Sequence, residues 1–91
     1  MTDPVVVTVY GAPDCSLCDD AKAVLEPAAA RLGFLLRSID ITDDPELEAR
    51  HRTSIPVVEI DGERAFVYHV SPSILERRIE AAQTRHAERA S

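Results

Sequence analysis

Two cysteines, Cys15 and Cys18, stand three positions apart in Cys15-Ser16-Leu17-Cys18, and they are the only two in the 91-residue chain. Side chains at that spacing lie about one helical turn apart and can close a small disulfide ring. The first of them falls where a helix begins, so unpaired backbone N–H groups and the helix dipole favour its thiolate. A thiolate is the species that attacks a disulfide. The pair therefore points to dithiol redox chemistry, with Cys15 as nucleophile and the more interior Cys18 as resolving thiol. Two other readings stand beside it: a pair of inert buried cysteines, and a metal site. Structural zinc takes four ligands. Cys15 and Cys18 supply two, and His51, His69 and His86 are scattered without ligand spacing, so no metal is expected. Asp14, Asp19 and Asp20 oppose the Cys15 thiolate, and Lys22 offsets part of that charge from one turn beyond Cys18. A modestly lowered Cys15 pKa and a reducing pair are the expected result.

These cysteines need a strand to lead into them and a helix to carry them. Val5-Val6-Val7-Thr8-Val9-Tyr10 is strongly β-branched and reads as a strand buried on both faces. Gly11-Ala12-Pro13-Asp14 is the turn that delivers the cysteines. Leu17, Ala21, Val24, Leu25, Ala28 and Leu32 recur at helical spacing over 16–32, with Gly33 as the stop and a kink expected at Pro27. Residues 34–40 read as a second strand, which makes 5–40 a parallel βαβ unit. Asp44-Pro45 is a cap-plus-proline start for a short helix reaching about 50–52. Runs 57–60 and 64–69 flank Asp61-Gly62 as a hairpin with a type I′ turn. Ser71-Pro72 opens a last helix with apolar Ile74, Leu75, Ile79 and Ala82, and the polar residues 84–91 are expected to fray. The order β-α-β-α-β-β-α specifies an α/β domain: a four-stranded mixed sheet covered by helices on both faces, with its core at about 5–82.

Sixteen acidic against ten basic residues give a net charge of −6. That charge argues against nucleic acid, whose binding rests on cationic contacts to phosphate. No apolar run approaches the roughly 20 residues of a membrane helix. The first residues, Met1-Thr2-Asp3-Pro4, form no signal-like segment, so a cytoplasmic monomer is expected.

The chain resembles the glutaredoxin branch of the thioredoxin superfamily over residues 5–82, and above all its short, atypical bacterial glutaredoxin-like members. The resemblance is carried by Val7-Thr8-Val9-Tyr10-Gly11-Ala12-Pro13-Asp14-Cys15-Ser16-Leu17-Cys18 and by Ser54-Ile55-Pro56-Val57. It implies a thioredoxin-like fold and a redox-active Cys15–Cys18 disulfide. It also implies a cis Pro56 and a substrate-binding loop, Ser54, Ile55 and Pro56, that offers the Ile55 backbone to the bound chain. Several glutathione-binding features of the family are replaced. Ala12 stands where a lysine is common, Leu17 where an aromatic residue is usual, and His69-Val70-Ser71-Pro72-Ser73 where a Gly-Gly pair and an acid are found. Asp14 and Val9 take the places of the tryptophan and the buried aspartate of thioredoxins.

The resulting expectation is a small thiol–disulfide oxidoreductase that reduces protein or low-molecular-weight disulfides. It holds no tightly bound cofactor and is recharged by a reductase or by glutathione. A shared iron–sulfur cluster, which needs glutathione as co-ligand, is not expected. The alternative is a binding or regulatory module that switches partners when the cysteines oxidise. Arg37 and Arg52 read as surface charges, with substrate-carboxylate binding as the other option. Tyr10 and Phe66 read as core or groove-lining residues.

Overall fold

The computed structural model describes residues 3–90. Along the chain come β1 (Val6–Gly11), α1 (Ser16–Leu32), β2 (Leu35–Asp40), a 3-10 turn (Ile41–Asp43), α2 (Pro45–His51), β3 (Val57–Ile60), β4 (Glu63–Val67) and α3 (Pro72–Ala90). The strands form one sheet in the order β2-β1-β3-β4. β1 pairs in parallel with β2 (Val6↔Leu35 to Gly11↔Asp40) and antiparallel with β3 (Val7↔Ile60 to Tyr10↔Val57), and β4 closes the hairpin on β3. The α/β architecture expected from the pattern of elements is the one observed.

The strand alternation separates the two faces of the sheet. Val5, Val7 and Val9 point into the main core with Val58 and Ile60, against Leu25 and Ala28 of α1 and Leu75, Ile79 and Ala82 of α3. Leu25 and Ile79 are fully buried, and truncating either to alanine should cost about 2–5 kcal/mol. The opposite face carries Val6, Thr8 and Tyr10. α2 packs on it, where the Tyr10 and His51 rings stack with centroids 4.8 Å apart, and His86 and Arg89 of α3 border its other end. A helix of seven residues spans only about 10 Å, too short to cover the strand. Val6 and Tyr10 therefore stay half-buried, which corrects the expectation of a strand buried on both faces.

α1 runs as one helix through Pro27, which takes an exposed position. It stops at Gly33, whose φ of 80° lets its N–H reach the Ala29 carbonyl at 2.9 Å. At the hairpin, Asp61 (φ 51°) and Gly62 (φ 84°) are both left-handed, as a type I′ turn demands. Three expectations need correction. β4 ends at Val67, two residues early, because Tyr68 turns to a φ of 71° and leads the chain after it out of the ladder. Ile74 is exposed rather than packed. Finally, α3 continues through 84–90 instead of fraying. His86 anchors that extension, with Nδ1 2.8 Å from the Asp3 carbonyl and Nε2 2.7 Å from Asp61 Oδ2. Residue 91 lies outside the described residues.

Candidate active site

Cys15 is the N-cap of α1, in extended conformation (φ −114°, ψ 106°). Its carbonyl accepts the Asp19 N–H at 3.1 Å, and its sulfur accepts the Cys18 N–H at 3.2 Å. A hydrogen bond from a helix-start amide to sulfur grows stronger when the sulfur is anionic, so this geometry favours the thiolate. The Cys15 and Cys18 sulfurs lie at disulfide distance, with Cα atoms 5.2 Å apart. Cys15 is half-buried, whereas Cys18 is 1% exposed. The pair is thus asymmetric: an outside reagent meets Cys15 first, and Cys18 reaches only its neighbour.

The interior wall behind Cys18 is Gly11. A Cβ placed there would stand 3.1 Å from the Cys18 sulfur and 3.3 Å from its Cβ. The strand that leads into the motif therefore ends in the residue type that lets the buried thiol rest against backbone. The turn between them holds Asp14 at a φ of 58°, a conformation aspartate tolerates better than most residues.

Strand register shows what else shares this end of the sheet. Extending Tyr10↔Val57 by one step places Pro56 beside Gly11. Extending Val57↔Val67 places Tyr68 beside Pro56, and the Tyr68 N–H donates to the Pro56 carbonyl at 2.9 Å. On the other flank Gly11 pairs with Asp40. The row Asp40, Gly11, Pro56, Tyr68 thus runs across the sheet end that carries the cysteines. The Ile55–Pro56 peptide is cis, as the resemblance implied, and Pro56 is buried. Ser54 and Ile55 are half-buried beside it.

The two flanks differ electrostatically. On the β2 side, Ala12, Pro13, Asp19, Lys22, Ser38 and Asp40 line a shallow depression. Asp40 accepts from the Thr42 hydroxyl at 2.6 Å and from the Thr42 N–H at 2.9 Å. Those bonds, with a smaller attraction from Lys22, hold its carboxyl below the usual range. Lys22 therefore answers Asp40 across that depression. On the Pro56 side, Tyr68 is 44% exposed and its hydroxyl donates to the Thr53 carbonyl at 2.7 Å.

The structure does not bring the two arginines to the cysteines. Arg37 pairs with Thr8 and lies on the face away from α1, in an open depression with Tyr10 and Glu59. Arg52 pairs with Glu48 at 3.4 Å, one turn back on α2. Among the described residues no group of three or more His, Cys, Asp or Glu is placed to hold a metal. Two features escaped the sequence pattern. Tyr68 looked like an ordinary strand residue, and nothing in its type signals a left-handed backbone. His51 is buried, and its Nδ1 has no hydrogen-bond partner among the described residues. Burial, with Arg50 and Arg64 nearby, holds its pKa below the ordinary value.

Comparison with known proteins places this arrangement. A family model described as Glutaredoxin-like domain (DUF836) matches residues 6–83. A structural-genomics target protein from X. campestris, solved by X-ray methods, is 29% identical with a TM-score of 0.68, over 82% of this chain and 96% of that one. A structural-genomics protein from Nitrosomonas europaea is similar in fold, at 21% identity and a TM-score of 0.71, over 86% and 94%. A mutant thioredoxin from Halobacterium salinarum shares the fold too, at 23% identity and 0.64, over 87% and 74%.

Proposed function

The chain belongs to the glutaredoxin-like domain family, and on that premise we propose that it is a thiol–disulfide oxidoreductase working through Cys15 and Cys18. The observation that carries this reading is the asymmetric pair: a half-buried Cys15, its sulfur accepting the Cys18 N–H, above a buried Cys18. The Cys15 thiolate attacks one sulfur of a substrate disulfide, forms the mixed disulfide and releases the first substrate thiolate. Cys18, as its thiolate, then attacks the Cys15 sulfur, closes the Cys15–Cys18 ring and releases the second thiolate. The two released thiolates take up protons, so the substrate gains two electrons and the protein loses two. The dithiol carries the electrons itself, and this cycle calls for no bound cofactor. An external thiol, from a reductase or from glutathione, recharges the pair. Ala12, Leu17 and the 69–73 segment provide few of the family's glutathione contacts, which favours a protein dithiol as donor.

The test combines a potential and a trap. Graded dithiol buffers with alkylation mass shifts should reveal a reversible two-electron couple between about −270 and −180 mV. Cys18→Ser should accumulate mixed disulfides through Cys15 with many clients, and Cys15→Ser should accumulate none. A pair that forms no reversible disulfide would defeat the reading. A C18S protein that traps a single partner would instead favour the redox-switched binding module.

A further inference from the structure

Ion pairing is unevenly spread over this molecule. Arg31 meets Glu76, and Arg52 meets Glu48. Of the arginines without an ion pair among the described residues, four gather round one surface: Arg37, Arg50, Arg64 and Arg89. All four are exposed.

Sheet register brings them together. Arg37 stands opposite Thr8, Thr8 opposite Glu59, and Glu59 opposite Arg64. Directly opposed residues point to the same face, so these four form one row across all four strands, on the face away from α1. The two arginines of the row sit roughly 14 Å apart, three strand spacings. Arg50 of α2 acts electrostatically on both stacked rings, Tyr10 and His51, and Arg64 acts on His51. Arg89 of α3 borders the open depression that holds Arg37, Tyr10 and Glu59. The acids of this face are already engaged. Glu59 accepts the Tyr10 hydroxyl at 3.2 Å, and Asp61 takes the Val6 N–H and His86. One step along the strands, Val6 is half-buried and its partner Leu35 is 54% exposed.

The chain carries a net charge of −6, yet here it offers unpaired cations beside apolar side chains. A guanidinium fork matches a carboxylate, bonding it through two N–H groups. A small anion cannot span forks set this far apart, whereas a chain bearing several carboxylates can. A polypeptide can also alternate acidic with apolar residues, which suits Val6 and Leu35. A phosphate backbone is charged at every step and would meet Glu59 and Asp61 as well.

We propose that this sheet face docks an acidic, amphipathic segment of a partner polypeptide. Its carboxylates pair with Arg37, Arg50, Arg64 and Arg89, and its apolar side chains rest on Val6 and Leu35. The cysteines belong to α1, on the other side of the sheet, so the docked segment leaves Cys15 open. The role does not depend on the oxidoreductase reading.

The experiment uses the full chain and a fluorescently labelled amphipathic peptide of glutamate and leucine. Anisotropy at low salt should show saturable binding that weakens as salt rises. Arg37→Glu and Arg64→Glu should each weaken it roughly three- to tenfold, since each exchanges an exposed attraction for a repulsion. Arg77→Glu makes the same charge change at an exposed position on α3 and should stay within twofold. In the wild-type protein, amide NMR shifts should move at Val6, Thr8, Glu59 and Arg64, a readout that needs no variant to fold. Saturating peptide should leave the rate of Cys15 alkylation within twofold. Absent binding overturns the proposal, as do shifts confined to the cysteine end, an equal loss in R77E, or protection of Cys15. A single-stranded oligonucleotide that binds the same amides as tightly overturns the polypeptide occupant. Shifts that follow protein concentration without peptide give the face to a second copy instead. Inert cysteines would defeat the oxidoreductase reading and leave each of these outcomes as stated.

Discussion

The two ends of the sheet both bend a non-glycine residue into left-handed backbone, yet for different reasons. At the hairpin end Asp61 (φ 51°) precedes Gly62, and Asp-Gly favours that turn in any context. At the cysteine end Tyr68 (φ 71°) has no local excuse. It is held by carbonyls of a segment 12 to 15 positions earlier in the chain. Conformation that follows from local chemistry marks a structural corner. Conformation that must be imposed from a distance marks the place where the fold is doing something else.

This contrast can be broken by experiment. The largest effect is expected at Gly11→Val. Valine suits a strand, but its Cβ would meet the Cys18 sulfur at 3.1 Å, and overpacking of this kind costs about 1–3 kcal/mol. Denaturant unfolding should show that loss, and rapid-quench alkylation should show slower closure of the Cys15–Cys18 ring. If G11V is neutral in both, the backbone wall behind Cys18 is not a constraint.

Asp61→Ala is next. It removes the acceptor for the Val6 N–H at 3.1 Å and the partner of His86, a loss of about 1 kcal/mol. Its rate with a peptide disulfide should match wild type within twofold. A large rate defect in D61A would show that the two ends are not independent.

The two histidines sharpen the comparison through pH. Both His86 ring nitrogens face oxygens that can only accept, so the imidazolium alone satisfies both. The Asp3 carbonyl, then Asp61, raise its pKa, with Arg89 opposing. Asp61 reflects the same pairing: burial pushes its carboxyl up, but the Val6 N–H and His86, with Arg85, bring it below the usual range. A folded pKa above the unfolded value near 6.5 stabilises fully below about pH 6.5, and that gain fades as pH rises through the higher folded value. His86→Gln should therefore cost more stability at pH 5.5 than at pH 8.5.

His51 behaves in the opposite sense. Its folded pKa is lowered, by burial first and then by Arg50 and Arg64, with Glu59 opposing. The unfolded chain therefore takes up this proton first as pH falls below about 6.5. Stability drops on the acid side until the folded value is reached. His51→Phe keeps a ring against Tyr10 and should flatten that drop. This is the smallest effect predicted, and melting curves from pH 5 to 8 would check it. A profile in H51F that parallels wild type would remove His51 from the account.

Much of the molecule was readable in the chain because its signals are local. The β-branched run of 5–10, the Ser16–Leu32 periodicity ending at Gly33, the Asp44-Pro45 cap and the Asp61-Gly62 turn each act within a few residues. The redox pair was legible for the same reason, since both cysteines and the helix start that polarises them lie within four positions. The missed features join distant segments. The helical residues 84–90 look too polar to stay ordered until His86 is seen against Asp3 and Asp61. Tyr68 looked like an ordinary strand residue until its bonds to Thr53 and Pro56 are seen.

Element types, their order and the Cys15–Cys18 chemistry follow from residue identity at short range, where spacing alone sets which side chains meet. The contact of Cys18 with Gly11, the staple from Tyr68 to Thr53 and Pro56, and the anchoring of α3 depend on the packed sheet. They arise only when register brings together backbone groups tens of residues apart, and no local pattern encodes that alignment.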